Sequence, residues 1–421
     1  MKEKSKVLAK KLINSTPALK ELAVGVYGWM NRRRYQNIKK HTPTEEKTVV
    51  FESFLGRQYG CSPKALFLEM VRDPAYAEYT KLWMFTRPEK YKSLEKYPGT
   101  KVIKYGSGEF YQGYARAKYW VTNYHLPSGI KKEADQVYIQ TWHGTPLKKI
   151  GCDVPDNGTL TADRKRAYKE YAREGQIIDF LPSPSPFYTE KITSAFRLGA
   201  QAKILELGYP RNDALFTGTE KKCRKIREKL GIPQDKHTIL YAPTWRDDQH
   251  TAGTGYTYRL GLDFDALKKN LGKDWVILFR AHYLISNGFD FEKYQGFVRD
   301  VSQYDDINDL YLVSDMLLTD YSSVFFDYAN LMRPMLFYMY DYENYKNQLR
   351  DFYFDAAELP GPVITEEKEI SEDILKLWKD FSYDEKYRRF NEKFNPVREA
   401  CSKKILEEIL RPDRQGVRDE T

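Results

Sequence analysis

At 421 residues the chain is longer than one ordinary hydrophobic core sustains, so two domains are expected. Its 41% apolar and 15% aromatic content exclude a disordered or fibrous chain. Four cysteines (Cys61, Cys152, Cys223, Cys401) and six histidines show no metal-ligand spacing, which argues against a protein-bound zinc and for free thiols in a reducing compartment. The formal charge of +9 is concentrated in residues 1–40, where eleven Lys and Arg face only Glu3 and Glu21. A nucleic-acid binder carries its basic surface on the folded body, so that class is not expected.

The basic arm has its own pattern. Leu19, Leu22, Ala23, Val26, Tyr27 and Met30 recur at helical spacing with Trp29 beside them, and Pro17 divides them from an earlier basic helix carrying Val7, Leu8 and Leu12. The apolar stretch falls short of the ~20 residues that span a bilayer, and no convincing signal-peptide cleavage site accompanies it. A basic amphipathic helix with Trp and Tyr, followed by Arg32, Arg33 and Arg34, is the pattern of a segment lying on an anionic membrane face. The alternative is a solvated helix packed on its own domain.

From residue 48 onward, strands alternate with helices. Strands are expected at 48–54, 81–85, 101–105, through the end of 115–123 and at 136–140; helices at 65–72, behind Pro63, and 165–174. A strand at 180–185 runs into a proline-rich turn. Short apolar strands then recur at 203–207, 238–241, 275–279 and 315–318, separated by helices such as 222–230 and 264–271, and the chain after Ser371 reads as charged helix. This order implies parallel α/β sheets. The expected division is a membrane segment at 1–42, an N-terminal Rossmann-like domain at 43–203 carrying His143, and a C-terminal one at 204–421.

Ligands of open α/β sheets bind at the carboxyl ends of strands. Four polar motifs fall there: QVYIQ leads to Trp142-His143-Gly144-Thr145-Pro146, TILYA to Pro243-Thr244-Trp245-Arg246, WVILF to Arg280-Ala281-His282, and DMLLT (ending in Thr319) to Asp320-Tyr321-Ser322-Ser323. All four are expected to line one cleft between the domains. Ser322 and Ser323 precede a helix expected at 324–332, where hydroxyls and free amides make an anion site. An ordinary Ser N-cap is the plainer reading, but Arg246 and Arg280 at neighbouring strand ends, and Arg211 in the turn YPRND, add phosphate-binding guanidinium groups. His143 and His282 have the pKa range to take a proton from an attacking hydroxyl, or an N–H to stabilise phosphoryl charge. No Walker-type glycine loop and no GxGxxG is present.

QTWHGTPLKKIG, YPRND, LYAPTWRDD, FRAH and above all LLTDYSSVFFDYANLMRPMLFY resemble the CDP-glycerol glycerophosphotransferase family of teichoic acid synthesis, as do FESFLGRQYGCSPKAL and KYWVTN. The resemblance implies a GT-B architecture, two Rossmann-like domains around a cleft, attached peripherally to the cytoplasmic face of a bacterial cell membrane. It implies His143 as catalytic base and His282 as a second essential histidine near the pyrophosphate. Arg211, Thr244, Arg280, Asp320, Ser322 and Ser323 match positions expected to hold the CDP-activated donor, with Asp327 assisting; Trp142, Gly144, Thr145, Pro146, Pro243, Arg246 and Thr319 flank them in the same motifs. The implied reaction is attack by a hydroxyl of a lipid-linked (undecaprenyl-diphosphate type) acceptor on CDP-glycerol or CDP-ribitol, releasing CMP. No cofactor is implied, and a divalent-metal requirement is not decided. The competing readings are a GT-B glycosyltransferase using a nucleotide sugar, and a catalytically silent membrane-bound scaffold. Leu19, Leu22, Val26, Trp29 and Arg32–Arg34 remain the expected membrane contacts.

Overall fold

The computed structural model describes residues 17–155, 162–244, 250–251, 255–256, 262–281, 291–341, 352–367 and 370–410. Arg246 and His282 lie outside the described residues, as does the side chain of Leu19. The chain forms two compact units, residues 1–57 with 70–140, and residues 58–69 with 141–421. His143 belongs to the second. Both units are built on parallel strands, giving an α/β fold with two Rossmann-like sheets.

In the first unit, helix α1 (Pro17–Lys40) precedes β1 (Glu45–Glu52). Pro17 stands at its first turn, where a missing N–H costs nothing. The two halves of α1 differ. From Asn31 onward one face is buried through Asn31 and Tyr35, Arg34 stacks 4.6 Å over the Tyr111 ring, and Lys39 Nζ donates to the Ala115 carbonyl at 3.0 Å. Upstream, Leu22, Val24, Val26, Tyr27, Trp29 and Met30 are all exposed. No helix among the described residues is long and apolar enough to cross a membrane.

Helix α2 (Cys61–Arg72) follows β1, and then come β2 (Thr80–Phe85), β3 (Thr100–Lys104), α3 (Gly108–Arg116), β4 (Ala117–Thr122) and β5 (Val137–Gln140). The first unit's strands stand in the order β3-β2-β1-β4-β5, all parallel. Their sequences are near-continuous apolar runs because both faces are covered. Glu52 is the exception, a carboxylate at the carboxyl end of the central strand β1 and only 1% exposed. Tyr114 of α3 donates its hydroxyl to Oε2 at 3.0 Å, and Oε1 has no hydrogen-bond partner.

The second unit takes α2 from the early chain and continues with α4 (Ala162–Gly175), β6 (Phe180–Pro182), α5 (Pro186–Phe196) and β7 (Lys203–Leu205), β6 and β7 pairing in parallel. The FLPSPS stretch yields a three-residue strand, because Ser185 caps α5 by accepting the Tyr188 N–H and Pro186 opens it. Next come α6 (Asp213–Phe216), α7 (Glu220–Leu230), β8 (His237–Ala242), the short antiparallel pair β9 (His250–Thr251) and β10 (Gly255–Tyr256), α8 (Phe264–Leu271), β11 (Trp275–Phe279), β12 (Val298–Asp300), α9 (Ile307–Val313), β13 (Met316–Thr319), α10 (Val324–Tyr328), β14 (Met335–Tyr338) and β15 (Val363–Ile364). Helices α11 (Ile370–Asp380), α12 (Glu385–Phe394) and α13 (Ser402–Leu410) complete it. The parallel sheet runs β12-β11-β8-β13-β14-β15. Leu240, Leu278, Leu317 and Phe337 enter one core and Ile239, Ile277, Leu318 and Leu336 the other, so the period-two alternation of each strand feeds both faces. The helix expected at 324–332 is shorter: α10 ends at Tyr328, passes into a 3-10 turn at Ala329–Leu331, and Met332 stops it in a left-handed conformation.

Burial pushes the Glu52 carboxyl from its ordinary value up to about 8, against the smaller opposing effects of the Tyr114 hydroxyl and Arg57. The folded chain therefore keeps a proton that the unfolded chain releases. Its contribution to stability is present in full below the unfolded value and is lost as pH rises toward 8. Replacing Glu52→Gln, which keeps an acceptor for Tyr114, removes a pH-dependent loss of at most about 4–5 kcal/mol. In thermal unfolding between pH 5 and pH 8.5 the variant is expected to lose less stability than wild type and to be the more stable of the two at pH 8.5. Parallel curves would exclude a protonated Glu52.

Candidate functional site

The site grows from two left-handed residues. After β5, Trp142 (φ 49°) and Gly144 (φ 151°) bracket His143. A tryptophan tolerates that conformation because its ring is buried, edge-on to Tyr171 and Phe196 at 5.6 and 5.0 Å. The His143 ring tilts against it, 4.1 Å between centroids, and is half-buried. Gly144 donates its N–H to the Tyr209 hydroxyl at 2.8 Å. A Cβ on Gly144 would lie 3.1 Å from Ser323 Oγ and 3.7 Å from Arg211 Nη1, so this turn passes directly over both groups. The following residues are pinned at Leu147, whose carbonyl accepts the Tyr353 N–H at 2.9 Å, and at Asp153, which accepts the Tyr353 hydroxyl at 2.6 Å. Thr145 and Pro146 are buried beneath the turn.

The YPRND motif supplies the platform. Tyr209 holds Gly144. Arg211 Nη2 pairs with Asp327 Oδ2 of α10 at 2.9 Å, the two side chains 8% and 3% exposed. Asn212 also bonds Asp327, and Asp213 accepts the N–H groups of Cys401 and Ser402 at 2.9 and 3.0 Å, capping α13. Burial pushes the Asp327 carboxyl up, opposed by the guanidinium beside it. For Arg211 burial is the largest single influence and opposes the charge, but Asp327 together with Cys61, Tyr209 and Tyr311 outweighs it and the guanidinium stays charged. Its Nε and Nη1 have no hydrogen-bond partner.

Three neighbouring strands end beside one another here. The Thr244 N–H after β8 donates to Asp320 Oδ1 after β13 at 2.7 Å, and Thr319 Oγ1 donates to the Ala242 carbonyl at 2.8 Å. Pro243 is buried with them. Ser322 and Ser323 follow half-buried, and Ser323 makes no side-chain cap to α10. Arg280, at the end of β11, is turned to its own scaffold: Nη1 donates to the carbonyls of Val301 and Tyr304 at 3.1 and 2.8 Å. Arg211, Gly144, Ser323 and Asp327 are thus brought together, with His143 next in chain.

Sequence reasoning missed the contribution of α2. Ser62 Oγ accepts the Arg211 N–H at 3.3 Å, Cys61 Sγ lies 3.8 Å from the Trp142 carbonyl, and Lys64 pairs with Asp306 at 2.5 Å. Asn308 Nδ2 donates to the Arg211 carbonyl. The GRQYGCSPKAL stretch stood in the sequence as a strand-to-helix turn, the position that signals such a role. Nothing local marked Asp306 or Asn308. Among the described residues no group of three or more His, Cys, Asp or Glu is placed to hold a metal ion.

Removing Asp327 leaves Arg211 charged and buried alone. Asp327→Ala is expected to cost about 3–5 kcal/mol in urea unfolding, the range for breaking a buried pair. A cost below about 1 kcal/mol would mean the pair is solvated in solution.

Residues 34–411 match the family model described as CDP-Glycerol:Poly(glycerophosphate) glycerophosphotransferase. The chain is 41% identical over 390 residues to a teichoic acid poly(glycerol phosphate) polymerase of Staphylococcus epidermidis, covering 91% of this chain and 53% of that protein. It is 39% identical over 374 residues to a protein of the same description from Bacillus spizizenii, covering 87% and 93%. The chain therefore spans about half the length of the first relative and most of the second. Among solved structures, the wall teichoic acid polymerase TagF, soaked with CDPG, is similar with a TM-score of 0.81 at 36% identity, over 94% of this chain and 98% of that one. By the extent of that match, the chain belongs to the CDP-glycerol:poly(glycerophosphate) glycerophosphotransferase family.

Proposed function

We propose that the protein transfers glycerol phosphate, or ribitol phosphate, from its CDP-activated form to a hydroxyl of a lipid-linked acceptor in teichoic acid or related wall-polymer synthesis. The observation that carries this reading is the turn at Gly144, which follows His143 directly and passes over a serine hydroxyl and a buried arginine whose Nε and Nη1 have no hydrogen-bond partner. His143 takes the proton as the acceptor oxygen bonds to the polyol phosphorus. The bond from that phosphorus to the CMP oxygen breaks and CMP leaves. Arg211 and Ser323 neutralise and orient the phosphoryl oxygens. His282 belongs to the same reading as the second histidine, near the pyrophosphate. The two parallel-sheet domains suit a GT-B-like enzyme.

A lipid-linked acceptor requires a membrane surface. The exposed Leu22, Val26 and Trp29 of α1, with Arg33 stacked 4.7 Å over Trp29 and Arg32 and Arg34 beside it, fit peripheral attachment to an anionic bilayer. Sedimentation with anionic vesicles is expected to capture the wild type, and the double variant Leu22→Ser, Trp29→Ser to bind at least about tenfold more weakly, since each buried apolar side chain is worth ~1.5–3 kcal/mol. Equal binding of both to anionic vesicles would remove α1 from this role.

The transfer reading is tested by CMP release from CDP-glycerol and CDP-ribitol with a lipid-linked acceptor. Release is expected from one donor, falling by at least about 10²-fold in His143→Ala, the range for loss of a general base. Undiminished release would keep the reaction and remove His143 from its role. No release from either donor, with folded protein and a competent acceptor, would favour a nucleotide-sugar transferase or a silent scaffold.

A further inference from the structure

Phe352, Tyr353 and Phe354 form a short strap that touches both motif loops of the site, and the transfer reading gives it no role. On the side of the His143 loop, Tyr353 donates its N–H to the Leu147 carbonyl at 2.9 Å, and Phe352 pairs with Lys148 as an isolated antiparallel bridge. The Tyr353 hydroxyl donates to Asp153 Oδ2 at 2.6 Å, the length of a charge-assisted bond, and accepts the Ile150 N–H at 3.4 Å. Burial, and after it the bond to Asp153, pushes the pKa of this phenol up, so the hydroxyl keeps the proton it donates. Asp153 Oδ1 in turn accepts the Ser194 hydroxyl of α5 at 2.5 Å. On the side of the loop after β13, the Phe352 ring stacks on Tyr321, 5.9 Å between centroids and 20° between planes. Tyr321 stands between Asp320 and Ser322, and its own hydroxyl donates to Asp341 at 3.0 Å. Phe354 roots the strap in the core, 5.6 Å from Phe326 of α10 and 5.1 Å from Phe394 of α12.

His143 and Ser323 follow different strands, β5 and β13, and Gly144 passes over Ser323 without a side chain to hold it there. The register between the two loops therefore depends on contacts to either side of the turn, with Tyr209 holding Gly144 itself and Tyr353 the residues after it. We propose that Tyr353 is a positioning residue for the transfer: by closing residues 147–153 into a fixed loop, it holds the His143 turn in register with the loop that carries Ser322 and Ser323. The inference rests on the transferase reading, in which His143 takes the proton and Ser323 orients the phosphoryl oxygens. Tyr353 acts through those groups and is assigned no contact with a reacting atom. Misplacing a reacting group by about 1 Å costs up to ~10²-fold in rate, so support of this kind is read in kcat before it is read in affinity.

Tyr353→Phe removes the hydroxyl and keeps the ring and the bond to Leu147. In CMP release its kcat is expected to fall about tenfold, with KM for the donor changed by less than about twofold. Asp153→Ala is expected to give a similar fall, and the two substitutions together no more than about either alone, because they cut one bond. In the His143→Ala background, Tyr353→Phe is expected to change the residual kcat by less than about twofold. An unchanged kcat in the single variant overturns the proposal, and so does a tenfold fall that persists without His143, which marks a residue of the scaffold alone. A second readout needs no turnover. In protein carrying isotope-labelled histidine, the His143 ring resonance is assigned by its loss in His143→Ala and senses the indole 4.1 Å away. Tyr353→Phe is expected to shift that resonance and to leave that of His237 in place; an unmoved His143 resonance overturns the proposal. A shifted resonance with no transfer by any variant, wild type included, would sink the transfer reading and keep Tyr353 as the residue that places His143.

Discussion

The buried pair of Arg211 and Asp327 is the constraint on which the site depends. A guanidinium taken out of water is tolerated only with a fixed counter-charge, and here each partner is itself held by several groups. Asn212 bonds Asp327; Ser62 and Asn308 hold the Arg211 backbone on its N–H and carbonyl sides. Asp327 takes Nη2 of the guanidinium, and Nε and Nη1 are left without hydrogen-bond partners. A flexible surface arginine would have to be ordered at each binding event, whereas this one is ordered by the fold.

The same economy appears along the YPRND turn. Four of its residues bond three different elements: Tyr209 the histidine turn, Arg211 and Asn212 helix α10, Asp213 helix α13. The turn joins the α2 segment, the strand-end loops and the C-terminal helices into one support. Gly144 can pass over Ser323 and Arg211 only because it has no side chain.

Two carboxylates illustrate opposite uses of burial. Asp327 is buried beside a cation and serves the site. Glu52 is buried with one tyrosine hydroxyl and takes up a proton instead of a partner charge. The first is tied to one geometry by its ion pair; the second makes the first unit's stability depend on pH.

Most of the fold was determined by the sequence itself. Apolar runs such as WVILF and MLLT can only be strands covered on both faces, and the alternation with helices required parallel sheets. The polar motifs at strand ends followed from the same periodicity, so Thr244, Asp320, Ser323 and His143 were legible as a group. Even Arg211 was visible as a member of a motif. Its meaning was not, because a turn arginine reads as solvated until Asp327, more than a hundred residues later, is seen to bury with it. Arg280 stands at its strand end as expected, and its Nη1 donates to the Val301 and Tyr304 carbonyls, partners that no local pattern announces. The part played by Cys61 and Ser62 was equally hidden, since they follow β1 in the chain but fold with the second unit. Periodicity is a local property and fixes elements, whereas which charge meets which is decided by contacts remote in sequence, and those only the tertiary structure supplies.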